Sequence, residues 1–174
     1  MLNELLLSSN IVVKKWIKPP KGVVKINFDA IVGDNRIGYG TIVRDDEGFV
    51  FEGGGGFIGK MMSVEEAKCF VFEGSIKLAC QLKITGHVLF ETDHVGLINK
   101  LRNLATDVTI IDARIKECKD AFNNFNSVDL IWTKRSCNTV VDLICTKICN
   151  EDKTWFFYMD YPVEFHNDVI CDVT

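Results

Sequence analysis

The chain has 174 residues, 47% of them apolar and 25% charged, with a formal net charge of −4. This length and mixture suit one globular domain and exclude a disordered or collagen-like chain; apolar runs such as Val88 to Phe90 are far too short to span a bilayer. The acidic balance argues against a surface that binds duplexes by charge alone, although a carboxylate-rich site can lower the net charge and leave a local basic face intact.

The seven cysteines, Cys69, Cys80, Cys118, Cys137, Cys145, Cys149 and Cys171, are odd in number and scattered, with no CxxC pair and no Cys/His set at zinc spacing. Cys145 and Cys149 fall on one helix face, where they read as small buried hydrophobes rather than a metal site. Free thiols fit a reducing compartment. Met1 to Asn10 carries a leucine run but no basic leader and no cleavage site. The expectation is an intracellular protein, cytoplasmic or nuclear, not secreted and without a membrane partner.

In chain order, residues 1–21 read as a lead-in stiffened by Pro19-Pro20. Val23 to Asp29 alternates, with Val24, Ile26 and Phe28 on one face and Lys25 and Asn27 on the other, which predicts a strand. Strands follow at Ile37 to Val43 and Phe49 to Phe57, after turns at Gly33-Asp34-Asn35 and Asp45 to Gly48. The glycines at 53–56 mark the third strand as bulged or flexible, and no Lys-Ser/Thr follows to make a phosphate loop. Ser63 with Glu66 three residues on forms a capping box that opens a helix running to about Leu82.

His87 to Glu91 is a fourth strand. Helices are predicted over about Asp93 to Asn103 and Val108 to Asn123, a fifth strand over Val128 to Trp132 with Trp132 in the core, a last helix over Asn138 to Asn150, and an irregular tail beyond Trp155. The order βββ-α-β-α-α-β-α predicts an α/β fold: a five-stranded mixed sheet, three strands antiparallel and then two parallel, with helices on both faces. One domain over 22–150 is expected, with 151–174 packed on it or extending from it.

Three aspartates interrupt otherwise apolar or strand-like segments: Asp29 near the end of the first strand, Asp93 directly after the fourth, and Asp142 within Val140-Val141-Asp142-Leu143-Ile144. Each alone has a plain explanation, as a cap or a turn-proximal surface residue. If the first and fourth strands are neighbours, Asp29 and Asp93 share a sheet end and a helix packed there adds Asp142. Clustered carboxylates repel unless cations sit between them, and hard oxygen ligands suit Mg²⁺ or Mn²⁺. Such a site can activate water for phosphodiester hydrolysis.

These segments resemble the plant ribonuclease H-type family, a retrotransposon-derived group. The resemblance runs from about Trp16 to Asn150. It is carried by Lys25-Ile26-Asn27-Phe28-Asp29-Ala30, Gly38-Tyr39-Gly40-Thr41-Ile42-Val43-Arg44-Asp45, Ser63-Val64-Glu65-Glu66-Ala67, Lys77-Leu78-Ala79, Glu91-Thr92-Asp93, and Arg135-Ser136-Cys137-Asn138 through Asp142. What it implies is a ribonuclease H-like fold and two-metal cleavage of RNA within a duplex. Asp29, Asp93 and Asp142 match three of the family's four carboxylates, and Asn138 matches an asparagine four residues before the last aspartate.

The fourth carboxylate is where the chain departs. The family places a glutamate after an alanine in the first helix; ungapped, this chain has Ala67-Lys68. Lys68, Val71, Ser75 and Ala79 form a face fit for packing, whereas a register with Glu66 at the site places Glu73 and Lys77 there. Glu65, one turn before Lys68, is a partial substitute. The loop histidine of some family members is absent from Trp132 to Cys137, and His94 suits a helix start better than a proton shuttle. Lys60, Lys68, Lys134 and Arg135 are the basic residues available to phosphate, with Asn138 beside them.

Three functions follow. The first is a metal-dependent endoribonuclease acting on an RNA:DNA hybrid or double-stranded RNA, through Asp29, Asp93 and Asp142 with Glu65, Glu66 or Lys68 at the fourth position. The second is a catalytically degenerate nucleic-acid-binding module. The third is a protein-interaction domain presenting Trp155, Phe156, Phe157 and Tyr158.

Overall fold

The computed structural model describes residues 15–102 and 110–173. Strands β1 (Val23–Gly33), β2 (Arg36–Arg44) and β3 (Val50–Ile58) form an antiparallel meander. Helix α1 (Val64–Gln81) leads to β4 (His87–Thr92), α2 (Val95–Arg102), α3 (Ile110–Ala121) and β5 (Ser127–Trp132). Helix α4 (Thr139–Glu151), β6 (Trp155–Phe157) and α5 (His166–Val173) complete the order. Among the described residues the strands form one sheet in the order β5-β4-β1-β2-β3-β6, with β4 parallel to both β1 and β5.

The ribonuclease H-like mixed sheet is therefore as expected, with one strand more. The segment beyond Trp155 is not irregular: β6 pairs antiparallel with β3, and α5 follows it. The glycine run explains the pairing. A Cβ at Gly53 would lie 2.6 Å from the Phe157 ring, and Gly54, at φ +137°, faces the Trp155–Phe156 backbone. These glycines let another strand and an aromatic ring come close, instead of loosening β3; the irregular register lies between Val43 and Arg44. The lead-in to residue 14, Asn103 and Val108 fall outside the described residues.

Alternation along β1 splits the molecule into two layers. Ile26, Phe28 and Ala30 pack with Phe72, Ile76 and Phe90 beneath α1 and α3. On the opposite face, Ile42 and Val50 pack with Val140, Ile144 and Ile148 of α4, with Phe157, and with Phe165 and Val169 at the C-terminal end. The capping box at Ser63 and Glu66 forms as read from the sequence, with N–H···O distances of 2.9 and 3.1 Å.

The α4-side residues of β1 are polar and yet buried. Lys25 Nζ donates to Glu91 Oε2 at 2.8 Å and to the Ile17 carbonyl at 2.6 Å. The Asn27 amide donates to Glu91 (2.9 Å) and Asn138 (3.0 Å) and accepts from the Trp16 indole (2.8 Å). Arg44, 1% exposed, lies 4.1 Å from the Trp16 ring centroid and pairs with Asp172 of α5 at 2.9 Å. The lead-in and the C-terminal helix are thus tied to the sheet by buried charge.

Glu91→Ala leaves the Lys25 ammonium buried without its carboxylate and takes an acceptor from Asn27. A loss of about 3–5 kcal/mol in urea unfolding is expected; a loss under about 1 kcal/mol would show the pair to be dispensable.

Candidate active site

The parallel register pairs Asn27 with Glu91, so two residues beyond each of them Asp29 and Asp93 meet at one sheet end. Helix α1 crosses beneath and brings Lys68 there. Lys68, Val71, Ser75 and Ala79 are all buried, so they form the packed face of the helix. The Lys68 ammonium forms a direct hydrogen-bonded ion pair with Asp29 Oδ1 and lies 3.5 Å from Asp93 Oδ1. It stands between the two carboxylates.

Asp29 is 3% exposed. Burial is the strongest influence on its carboxyl and raises its pKa above the usual range; Lys68 opposes that shift without cancelling it, and nearby Asp93 adds to it. The Asp29 carbonyl accepts from the Cys145 thiol at 3.2 Å, so this cysteine is a packed structural residue beneath the site. All seven cysteines are free thiols.

Asp142 reaches the same end from the first turn of α4 and is held by Arg135 at 2.7 Å. Asn138, 1% exposed, precedes the helix and bonds inward to Asn27 and to the Phe28 carbonyl (3.4 Å). Its side chain is turned inward and ties the start of α4 to β1.

The two candidate glutamates do not join the cluster. Glu66 is spent on the capping box, and Glu65 pairs with Lys100 at 3.1 Å. His94 serves the helix start, its Nδ1 accepting from Leu97 N–H at 3.0 Å, and burial followed by the Lys68 charge lowers its pKa. Lys60 lines a shallow pocket with Asp34 and Asn35 of the β1–β2 turn.

Trp132 was expected in the strand core and is instead 45% exposed, its indole N–H donating to the Asp93 carbonyl at 3.1 Å. β5 is an edge strand and Trp132 is its last residue, so its outer side is open. The cue available in the sequence was its place just ahead of Lys134-Arg135.

This donor set does not fit a resident pair of divalent ions. Lys68 fills the space between Asp29 and Asp93, Asp142 is committed to Arg135, and among the described residues no group of three or more His, Cys, Asp or Glu side chains is placed to hold a metal.

Sheet order, helices on both faces and aspartates converging at one sheet end define a ribonuclease H-like domain. Residues 27–148 match the family model described as reverse transcriptase-like, and the chain belongs to that family. No curated protein sequence matches. Among solved structures, RNase H1 from the halophilic archaeon Halobacterium salinarum NRC-1 is 14% identical, with a TM-score of 0.68 over 75% of this chain and 99% of the other. An N-terminal RNase H domain from Mycobacterium tuberculosis is 18% identical, with a TM-score of 0.65 over 75% and 95%. LC11-RNase H1, solved in complex with an RNA/DNA hybrid, is 11% identical, with a TM-score of 0.65 over 74% and 97%. At these identities the likeness is one of fold.

Replacing the ammonium by a carboxylate tests what fills the site. Lys68→Glu sets a glutamate beside Asp29 and Asp93, and MnCl₂ at a hundredfold over Kd should raise its Tm by about 5–10 °C, with little change in the parent protein. An equal shift in both proteins would mean that Lys68 does not block ion binding.

Proposed function

We propose that this chain is a ribonuclease H-like module that binds RNA-containing duplexes and does not cleave them at its carboxylate centre. The observation that carries this reading is the Lys68 ammonium between Asp29 and Asp93. Three carboxylates, Asp29, Asp93 and Asp142, face two cations, Lys68 and Arg135, which leaves one net negative charge. A phosphodiester meets far less repulsion there than from three bare carboxylates.

An ammonium carries no water that it can turn into hydroxide, so the centre lacks the nucleophile that hydrolysis needs. Arg135, with its side chain 71% exposed, offers a guanidinium to backbone phosphate, and Lys134 adds a second exposed cation beside it. The open face of Trp132 suits packing on a ribose or an end base. An RNA:DNA hybrid and double-stranded RNA both present the wide, shallow groove with 2′-hydroxyls that such a surface reads. The hybrid is favoured by the fold likeness to LC11-RNase H1.

A second reading is a Mg²⁺- or Mn²⁺-dependent endoribonuclease, favoured by three aspartates at one sheet end. It requires Lys68 to leave Asp29 and Arg135 to release Asp142.

One experiment separates the two. End-labelled hybrid and double-stranded RNA are incubated with the protein in Mg²⁺ and in Mn²⁺, with binding measured in parallel. Saturable binding with no metal-dependent product supports the module. Cleavage that vanishes in Asp29→Asn establishes the nuclease. The absence of binding to either duplex sinks both. Lys134→Ala should weaken binding of both duplexes alike and reduce the slope of log K against log salt by about one.

A further inference from the structure

A second cavity, sharing no residue with the carboxylate centre, lies between α1 and the β2–β3–β6 side of the sheet. It has a volume of about 480 Å³, within the range of small-molecule sites. Tyr39, Phe70, Phe156 and Tyr158 contribute aromatic surface to its wall. Phe156 and Tyr158 are 54% and 69% exposed, whereas Tyr39 and Phe70 are half-buried and meet edge to face at 5.1 Å.

Its polar groups divide by whether they are already engaged. Ser75 and Thr41 bond to each other at 3.2 Å. Glu73 is held by Arg114 through two bonds of 2.7 and 2.9 Å. Lys77 is solvent-exposed. Glu52, on β3 opposite Val43, is 8% exposed and has neither a hydrogen bond nor an ion pair among the described residues. Burial raises the pKa of its carboxyl above the usual range.

The Glu52 oxygens are not sealed from solvent, but a partly desolvated carboxylate without a partner favours an opposite charge that also donates hydrogen bonds. Here the protein's own residues supply the aromatic wall and leave the carboxylate unmatched. We infer that this cavity binds a small monovalent organic cation, an amidinium, guanidinium or ammonium on a short apolar body, with the cationic head on Glu52 and the body against Tyr39, Phe70, Phe156 and Tyr158. The head gains a charge-assisted pair and the aromatic faces attract the cation. The glycine run serves this site too. Gly55 lines the cavity, and any Cβ there would overlap the Tyr39 carbonyl.

The test uses the full chain with benzamidine as the probe and benzamide, its neutral counterpart, as the control. Titrations are followed by amide chemical shifts. The expected result is saturable one-to-one binding of benzamidine, with shifts at Tyr39, Glu52 and Ser75 and none at Asp29 or Asp93. Benzamide should bind about ten- to a hundredfold more weakly.

Glu52→Gln should remove that preference and leave the urea midpoint as high as before or higher. Phe156→Ala, a change at an exposed rim position, should weaken benzamidine while the fold is retained. Equal affinity for the two compounds would overturn the proposal. So would shifts confined to the carboxylate centre, or a benzamidine titration that never saturates. The comparison of two ligands on the unaltered chain holds even if a variant fails to fold.

Discussion

The ion pair between Lys68 and Asp29 sets how much of this molecule is arranged. Both residues are buried, and neither ion is stable there alone. Asp29 lies near the end of a central strand, where an isolated carboxylate is disfavoured, and Lys68 lies on the packed face of α1, where an isolated ammonium is equally costly. The contact fixes α1 against the sheet at its polar end, as Phe28 against Phe72 fixes it at its apolar middle. Asp93 then sees a cation already in place, so β4 can end in a carboxylate beside Asp29 without an outside ion.

Beneath this pair runs a second layer of buried polarity, from Lys25 through Glu91 and Asn27 to Asn138. Each member is matched, so the row orders β1, β4 and the entry to α4 without stranding a polar atom. The Trp16 indole closes it from the lead-in side, and the same ring covers Arg44, which reaches Asp172 on α5. The two ends of the described chain are thus anchored to one region of the sheet by a single aromatic ring, the Lys25 bond to the Ile17 carbonyl and the Arg44–Asp172 ion pair.

Much of this was legible in the residues. Alternation in Val24, Ile26 and Phe28 gave the strand its apolar face, and Ser63 with Glu66 gave α1 its start. The spacing of Lys68, Val71, Ser75 and Ala79 marked the packed face of α1, and all four are buried there. What escaped was non-local. Trp155–Phe157 is too short to announce a strand, and it becomes one only because the glycines of β3 let it approach. Trp132 has a strand-core composition around it, but β5 is an edge, and edges are decided by sheet order. Glu65 carried the right charge at a plausible offset and was taken by Lys100, a partner some 35 residues distant in sequence.

A tethered ammonium and a bound divalent ion differ in more than charge. The ammonium is held by its own helix and is present at every ion concentration. It offers three donors and no site for a water to ionise. A centre built on it, as proposed here, would keep the carboxylates in place without depending on metal supply. Arg135 extends the same logic outward, with Asp142 as the anchor of an exposed guanidinium. On the reading proposed here, Lys68 occupies two carboxylates that would otherwise face a metal ion and Arg135 occupies the third, and the exposed guanidinium is the group left to meet phosphate, so that the surface would hold a phosphodiester rather than break it.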